Sequence, residues 1–355
     1  MQITPRARFF RSLFRALARW VARTLTRQTI TGQDTIPTER PLIFAANHAS
    51  TYDALLLLAH LPPDTQWVGP GDFKLLFPAN LLVPLAGIVL VKRAALDRDS
   101  IRLMSGALEV GANLALFPEG GTWEKRLDDV KAGAAYLSQL KQVPIVPLSF
   151  GGTYQVWGKI VRLQRPPVTI HFGEPLPPPP TGDRKARGEV LQTASRTLMQ
   201  RIYAHLPPPD QARYDVAARA VYHGSIICRG SMYSASDVAH ENEGSIHSAV
   251  TTHDFPVLAE LASKPNLVSP LWRNARLPLK PLVQHSVYYA AADFVIAAER
   301  LQSAFSGAFA GYLNYRLGDD KAAAGMAELA LLRDIALEAH HAGQRLRFLP
   351  RVEWG

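Results

Sequence analysis

The chain has 355 residues, with 39 Lys and Arg against 30 Asp and Glu and a formal net charge of +9. The excess is local: residues 1–29 hold seven arginines and no acidic residue, which marks one basic surface element and argues against a domain that tracks nucleic acid over its whole face. Cys228 is the single cysteine, so an intrachain disulfide framework and a cysteine-based structural zinc site are excluded and a reducing compartment is expected.

In "ARFFRSLFRALARWVARTLTR" the arginines at 11, 15, 19 and 23 step by four and drift slowly round one side of a helix. Phe9, Phe10, Leu13, Phe14, Leu17, Trp20, Val21 and Leu25 fall on the other. Such a helix can lie in the plane of an anionic membrane surface, rings in the headgroup boundary and arginines on lipid charge. Two other readings compete: a transit peptide, which is usually richer in serine, or a helix packed on its own domain with its arginines solvated. The first gives residues 1–29 as an amphipathic membrane-surface helix.

From Pro41 to Phe172 short apolar runs alternate with longer mixed segments, the pattern of strands interleaved with helices. Strands are predicted at Leu42–Ala46, Gln66–Val68, Ile88–Val91, Asn113–Phe117, Ile145–Phe150 and Val168–Phe172. Helices are predicted at Asp53–His60, Asp97–Gly111 and Val130–Leu140. No run of about 18 uncharged apolar residues occurs; the nearest, Leu75 to Val91, is broken by Pro78, Asn80, Pro84 and Gly87 and reads as buried or interfacial. A proline-rich stretch, a helix from Arg184 to His205 and a second cluster, "LPPPD", then mark a boundary. The expected fold is α/β: a mixed central sheet flanked by helices over 30–205, the N-terminal amphipathic helix, and a mainly helical region over 206–355. Within that last region "HENEGSIHSAVTTHD" offers His240, Glu243, His247 and His253, but at no metal-binding spacing, so a solvated loop is expected and no metal.

The chemistry concentrates in "PLIFAANHASTYDALLLL". A histidine at the exit of a strand stands at the carboxyl edge of the sheet, where α/β proteins place ligands. His48 can take a proton from an alcohol if a second group fixes its tautomer, and Asp53 is near enough in the chain to be that group. Equally, Ser50-x-x-Asp53 before an apolar run resembles a capping box, which would make Asp53 a helix-start residue and His48 an ordinary turn histidine. Further along, "GIVLVKR" ends a strand on two cations and "LALFPEGGTWEKR" ends another on a glycine turn, features suited to phosphate and to close backbone approach. "VPIVPLSF" is a strand bracketed by prolines.

Together, in this order, these blocks resemble the glycerolipid acyltransferases typified by 1-acylglycerol-3-phosphate acyltransferases. The Asn-His-x4-Asp block is matched by Asn47, His48 and Asp53, and the Gly-x-x-Phe-Ile-x-Arg block by Gly87 and Arg93. Phe117, Pro118, Glu119 and Gly120 match Phe-Pro-Glu-Gly, and Val143, Pro144 and Pro147 match Val-Pro-x-x-Pro. Gly121 and Thr122 stand where the family usually has Thr-Arg, which leaves the acceptor's phosphate contact open, with Lys125 or Arg126 as substitutes.

The resemblance implies an acyltransferase domain over 30–205 in which His48, oriented by Asp53, deprotonates an acceptor hydroxyl that attacks an acyl thioester. Asn47, Gly87, Arg93, Glu119, Gly120, Gly121 and Thr122 are the substrate-binding candidates, with Arg93 on acceptor phosphate. The implied co-substrate is acyl-CoA or acyl-carrier protein, the acceptor a lysophospholipid or glycerol phosphate, and no cofactor is expected. The implied partner is an anionic membrane surface on the cytoplasmic face; no nucleic acid is expected. A lipid-binding protein without transfer activity, or a transferase acting on a non-phosphorylated lipid, are the competing functions.

Overall fold

The computed structural model describes residues 5–70, 88–91, 98–121, 127, 130–181, 186–229, 248–250, 253–263, 278–307 and 310–354. The chain forms two compact units, Met1–Ala218 and Arg219–Gly355. Gly87, Arg93, Thr122, Lys125, Arg126 and the 240–247 loop lie outside the described residues, as does the apolar run before Ile88.

The first unit runs α1 (Pro5–Leu25), β1 (Arg27–Thr31), β2 (Ile43–Ala46), α2 (Tyr52–His60), β3 (Thr65–Pro70), β4 (Val89–Val91), α3 (Arg98–Glu109), β5 (Asn113–Leu116), α4 (Gly133–Lys141), β6 (Ile145–Gly151), α5 (Val156–Val161), β7 (Pro167–Phe172), α6 (Arg187–Ala204) and α7 (Pro208–Arg219). Its seven strands form one sheet in the order β1-β7-β6-β2-β5-β3-β4. The five from β6 to β4 are mutually parallel, whereas β7 runs antiparallel to β6 and carries β1 parallel to itself, so the sheet is mixed.

The central strand β2, Ile-Phe-Ala-Ala, is buried on both faces, as a parallel strand covered by helices requires. Its two-residue period divides the core. Phe44 and Ala46 join Tyr52, Leu56, Phe150 and Ile170 on the side covered by α1, α2 and α5. Ile43 and Ala45 join Leu114, Leu137, Leu198 and Ile202 on the side of α3, α4 and α6. Burying one such large side chain contributes about 1.5–3 kcal/mol, so a charge in β2 would unseat both layers.

At the N-terminus the expected helix is present, but the chain leaves it at Leu25 and enters the sheet as β1 at Arg27. Its orientation also differs from the expectation that the arginines face outward. Arg11 is only 2% exposed; it donates to the Thr65 carbonyl and to Gln66 Oε1 and lies 5.2 Å from the centre of the Trp67 ring. Arg19 donates two hydrogen bonds to the Ala59 carbonyl at the end of α2. Ala18 and Ala22 are buried beside them, and Leu13 (51% exposed), Leu17 (52%) and Trp20 (66%) point away from the domain. The physical reason is the polar groups beneath α1: Arg19 satisfies a carbonyl at the end of α2 and Arg11 satisfies buried acceptors at the start of β3, as leucine cannot.

The second unit holds the expected helices, α8 (Pro256–Ser263), α9 (Lys280–Val283), α10 (Ala291–Ser306), α11 (Ala310–Leu317) and α12 (Asp319–His341), together with an antiparallel sheet. Strands β8 (Ala220–Arg229), β9 (Ser248–Val250), β10 (Tyr289–Ala290) and β11 (Arg345–Trp354) lie in the order β10-β11-β8-β9. β8 and β11 pair over ten residues, from Ala220 opposite Trp354 to Arg229 opposite Arg345. At Gly224 an added Cβ would stand 2.7 Å from the Phe255 carbonyl oxygen and 2.8 Å from the Phe348 ring, so the close approach needs glycine.

Candidate active site

β6, β2 and β5 lie side by side and parallel, so their carboxyl ends converge. From those ends come Phe150, then Asn47 and His48, then Phe117 to Glu119. The site is therefore built from three turns on one edge of the sheet.

Asn47 is buried, and its side chain closes the first joint: Nδ2 donates to the Phe150 carbonyl at 2.9 Å and Oδ1 accepts the Phe150 N–H at 2.7 Å. With both amide atoms engaged it ties the exit of β2 to β6. His48 follows. Its Nδ1 is 3.1 Å from Asp53 Oδ2, and because a carboxylate only accepts, Nδ1 carries the proton and Nε2 is left as the basic nitrogen. The imidazole stacks on the Phe117 ring with centroids 3.8 Å apart and planes within 8°.

Asp53 is fully buried on the first turn of α2. The same Oδ2 also accepts the Ala49 N–H at 2.7 Å and the Ser50 N–H at 2.8 Å, while Ser50 Oγ accepts from the Tyr52 N–H. Both readings of this aspartate are thus realised at once: it closes a capping-box turn and it orients the histidine. Three donors, the His48 ring and two backbone N–H groups, therefore converge on one oxygen. Asp53 Oδ1 is buried and makes no hydrogen bond to the described residues.

Glu119, a second buried carboxylate, comes from the turn after β5. Its Oε1 accepts the His48 N–H at 2.8 Å, so it holds the histidine's backbone. Gly120 has φ 71, a conformation that glycine adopts without strain, and its N–H closes the turn on the Phe117 carbonyl at 2.9 Å. Gly121 is buried next to it. Of the expected site residues the structure thus brings Asn47, His48, Asp53, Glu119, Gly120 and Gly121 to one edge.

Sequence reading missed two groups. Phe117 was legible as a motif residue, but its stacking on His48 was not. Tyr214 on α7 gave no signal at all; its hydroxyl donates to Glu119 Oε1 at 3.0 Å. Nearby, the Trp157 indole N–H donates to the Thr51 hydroxyl at 2.8 Å, beside the turn that carries His48 and Asp53.

A half-buried histidine held by a buried aspartate at the carboxyl edge of a mixed sheet, backed by a Pro-Glu-Gly turn, is the arrangement expected from the resemblance to the glycerolipid acyltransferases. Residues 27–151 match the family model described as Acyltransferase. Among curated proteins the chain is similar to a 1-acyl-sn-glycerol-3-phosphate acyltransferase of Limnanthes alba, 30% identical over 159 residues, covering 41% of this chain and 53% of that protein. It is also similar to the beta form of Homo sapiens, 27% identical over 190 residues, covering 51% and 66%. The chain thus spans about half the length of the first of these relatives. Among solved structures, that of a 1-acyl-sn-glycerophosphate acyltransferase of Thermotoga maritima aligns with TM-score 0.42 and 19% identity, over 55% of this chain and 80% of that one.

Proposed function

We propose that the protein transfers a fatty acyl group from an acyl thioester, acyl-CoA or acyl-carrier protein, to a hydroxyl of a lysophospholipid or glycerol-phosphate acceptor at a membrane surface. The observation that carries this reading is His48 held by Asp53 Oδ2 at 3.1 Å, with Nε2 available at the strand edge. The acceptor hydroxyl gives its proton to Nε2 as its oxygen attacks the thioester carbonyl; the C–O bond forms, the C–S bond breaks, and the departing thiolate takes the proton back from the imidazolium. Asp53 stabilises that imidazolium and fixes the tautomer, a role for which a buried carboxylate suits. No covalent enzyme intermediate is required. The relatives' printed names, 1-acyl-sn-glycerol-3-phosphate acyltransferases, support a phosphorylated acceptor, with Arg93 as its partner.

Membrane association is supported by the outward face of α1. Leu13, Leu17 and Trp20 form an exposed stripe, and exposed Val161 and Leu163 stand at and just past the end of α5 among exposed Lys159, Arg162 and Arg165. Arg165 donates to the Arg23 carbonyl at 2.9 Å, which joins the two elements. Among the described residues no helix is long and apolar enough to cross a membrane, so an in-plane contact suits this face.

The test is mass spectrometry of lipids formed by purified protein from mixed acyl-CoAs and a panel of lysophospholipid, glycerol-phosphate and non-phosphorylated acceptors. A new acyl ester on a phosphorylated acceptor that requires the thioester is expected. Product on only non-phosphorylated acceptors would replace the acceptor assignment, and absence of any thioester-dependent product would overturn the reading.

A further inference from the structure

Glu119 Oε1 receives two donors, the His48 N–H at 2.8 Å and the Tyr214 hydroxyl at 3.0 Å. Tyr214 belongs to α7, outside the family-matched residues 27–151, and α7 is tied down along its length. Asp210 Oδ2 accepts the Gly152 N–H at 2.8 Å just past β6, the Arg213 guanidinium lies 3.5 Å from the centre of the Tyr154 ring, and the Tyr203 hydroxyl donates to the Asp215 carboxylate at 3.0 Å. The Tyr203 and Tyr214 rings meet edge to face at 6.1 Å. A buried tyrosine needs an acceptor, and a nearby backbone carbonyl would satisfy it; here the acceptor is the oxygen that also holds the histidine's backbone.

We propose that Tyr214 is a positioning residue for the transfer reaction: its hydroxyl fixes Glu119 Oε1, Glu119 fixes the His48 backbone, and the imidazole is thereby aimed at the acceptor hydroxyl. The ring of His48 is steadied by Asp53 and Phe117, but neither touches its main chain from the β5 side; that is the contact Glu119 makes. Burial, with the Glu119 carboxylate beside it, holds the Tyr214 phenol well above its ordinary pKa, so it stays a donor throughout the working pH range. Asp210 supplies the register. Its carboxylate is anchored to Gly152 one turn before Tyr214, which sets where along Glu119 the hydroxyl arrives.

This proposal rests on the acyl-transfer reading, and the full-length Y214F protein separates the two. Y214F removes one oxygen and keeps the ring. Turnover is expected to fall roughly tenfold, because a base displaced by a fraction of an ångström loses alignment, with donor and acceptor KM within about twofold of wild type. In an E119A background the same change should cost nothing further, since the mediator is gone. Selective ¹⁵N-histidine labelling supplies a readout that needs no activity: the His48 amide resonance is expected to move in Y214F while the other histidines keep theirs. Should Y214F melt below the assay temperature, 3-fluorotyrosine at 214 keeps size and hydroxyl while altering donor strength, and a changed kcat with unchanged KM is expected. A wild-type protein with no transfer activity sinks the reading of function and leaves the resonance test standing. Unmoved kcat together with an unmoved His48 resonance, or an equal loss in the E119A background, overturns the proposal.

Discussion

Tyr52, the first residue of α2, donates its hydroxyl to the Ala22 carbonyl of α1 at 3.2 Å and shares a 3.0 Å hydrogen bond with Thr26. The N-terminal helix and the helix that carries Asp53 therefore meet at a hydrogen-bonded joint. The surface helix is thereby fixed to the helix whose first turn bonds His48.

That joint decides how the membrane contact should be tested. Removing residues 1–28 would strip Ala22 from the core and take part of β1, so the damage would not be confined to lipid binding. Replacing Leu13, Leu17 and Trp20 by serine leaves the packed side alone. Flotation with anionic vesicles should show binding lost, while turnover of a detergent-soluble acceptor and the melting temperature stay near wild type. Arg11→Ala should do the reverse, costing about 2–3 kcal/mol of stability because it leaves a buried carbonyl and amide without their charged donor. Urea unfolding measures this.

His48→Ala should lower kcat about 10²–10⁴-fold, the range of a general base, with the fold unchanged by circular dichroism. Asp53→Ala should lose activity and stability together, by about 1–2 kcal/mol, since the Ala49 and Ser50 N–H groups lose their acceptor. A stable, fully active His48→Ala protein would refute the mechanism.

Much of this site was legible because its parts follow strands directly. β2, β5 and β6 are apolar runs with abrupt polar ends, and those ends are Asn47-His48, Pro118-Glu119 and Gly151. What periodicity could not give was partnership across the chain. The arginine stripe of α1 reads the same whether it faces lipid or the carbonyls of Thr65 and Ala59. β1 was hidden because Arg-Gln-Thr-Ile-Thr at a sheet edge is too polar and short to stand out. The sheet of the second unit escaped for a related reason: β8 and β11 are distant in sequence and each is broken by small or proline residues, Gly224 and Pro350. Tyr214 reaches Glu119 only through the fold.

His60, at the end of α2, provides a pH test of the α1 contact. Burial, followed by Arg19, Arg23 and Arg15 of α1, lowers its pKa from 6.5 to about 4. The folded protein therefore holds His60 neutral where the unfolded chain would protonate it. Its contribution to stability is complete above pH 6.5 and is lost as pH falls towards 4. Allowing for partial exposure, the loss across that window is about 1–2 kcal/mol. His60→Gln should flatten the decline over that interval relative to wild type in urea titrations at several pH values.

Arg93 is tested through the acceptor. If it grips phosphate equally before and during the reaction, Arg93→Ala raises acceptor KM roughly ten- to a hundredfold with kcat and donor KM little changed. Lys125→Ala and Arg126→Ala should show smaller effects of the same kind. Unaltered acceptor KM in all three variants would point to an acceptor without phosphate.

The pairing of β1 with β7 sets an order of events during synthesis. Arg27 pairs with Pro167 and Thr31 with His171, and among the described strands β1 bonds to β7 alone. The strand next to α1 thus waits at the ribosome for roughly ten seconds until its partner emerges. Throughout that interval β1 lacks its partner, with the leucines and tryptophan of α1 already made. If α1 makes the membrane contact proposed above, a chain stalled before Pro167 meets the bilayer with β1 still unpaired.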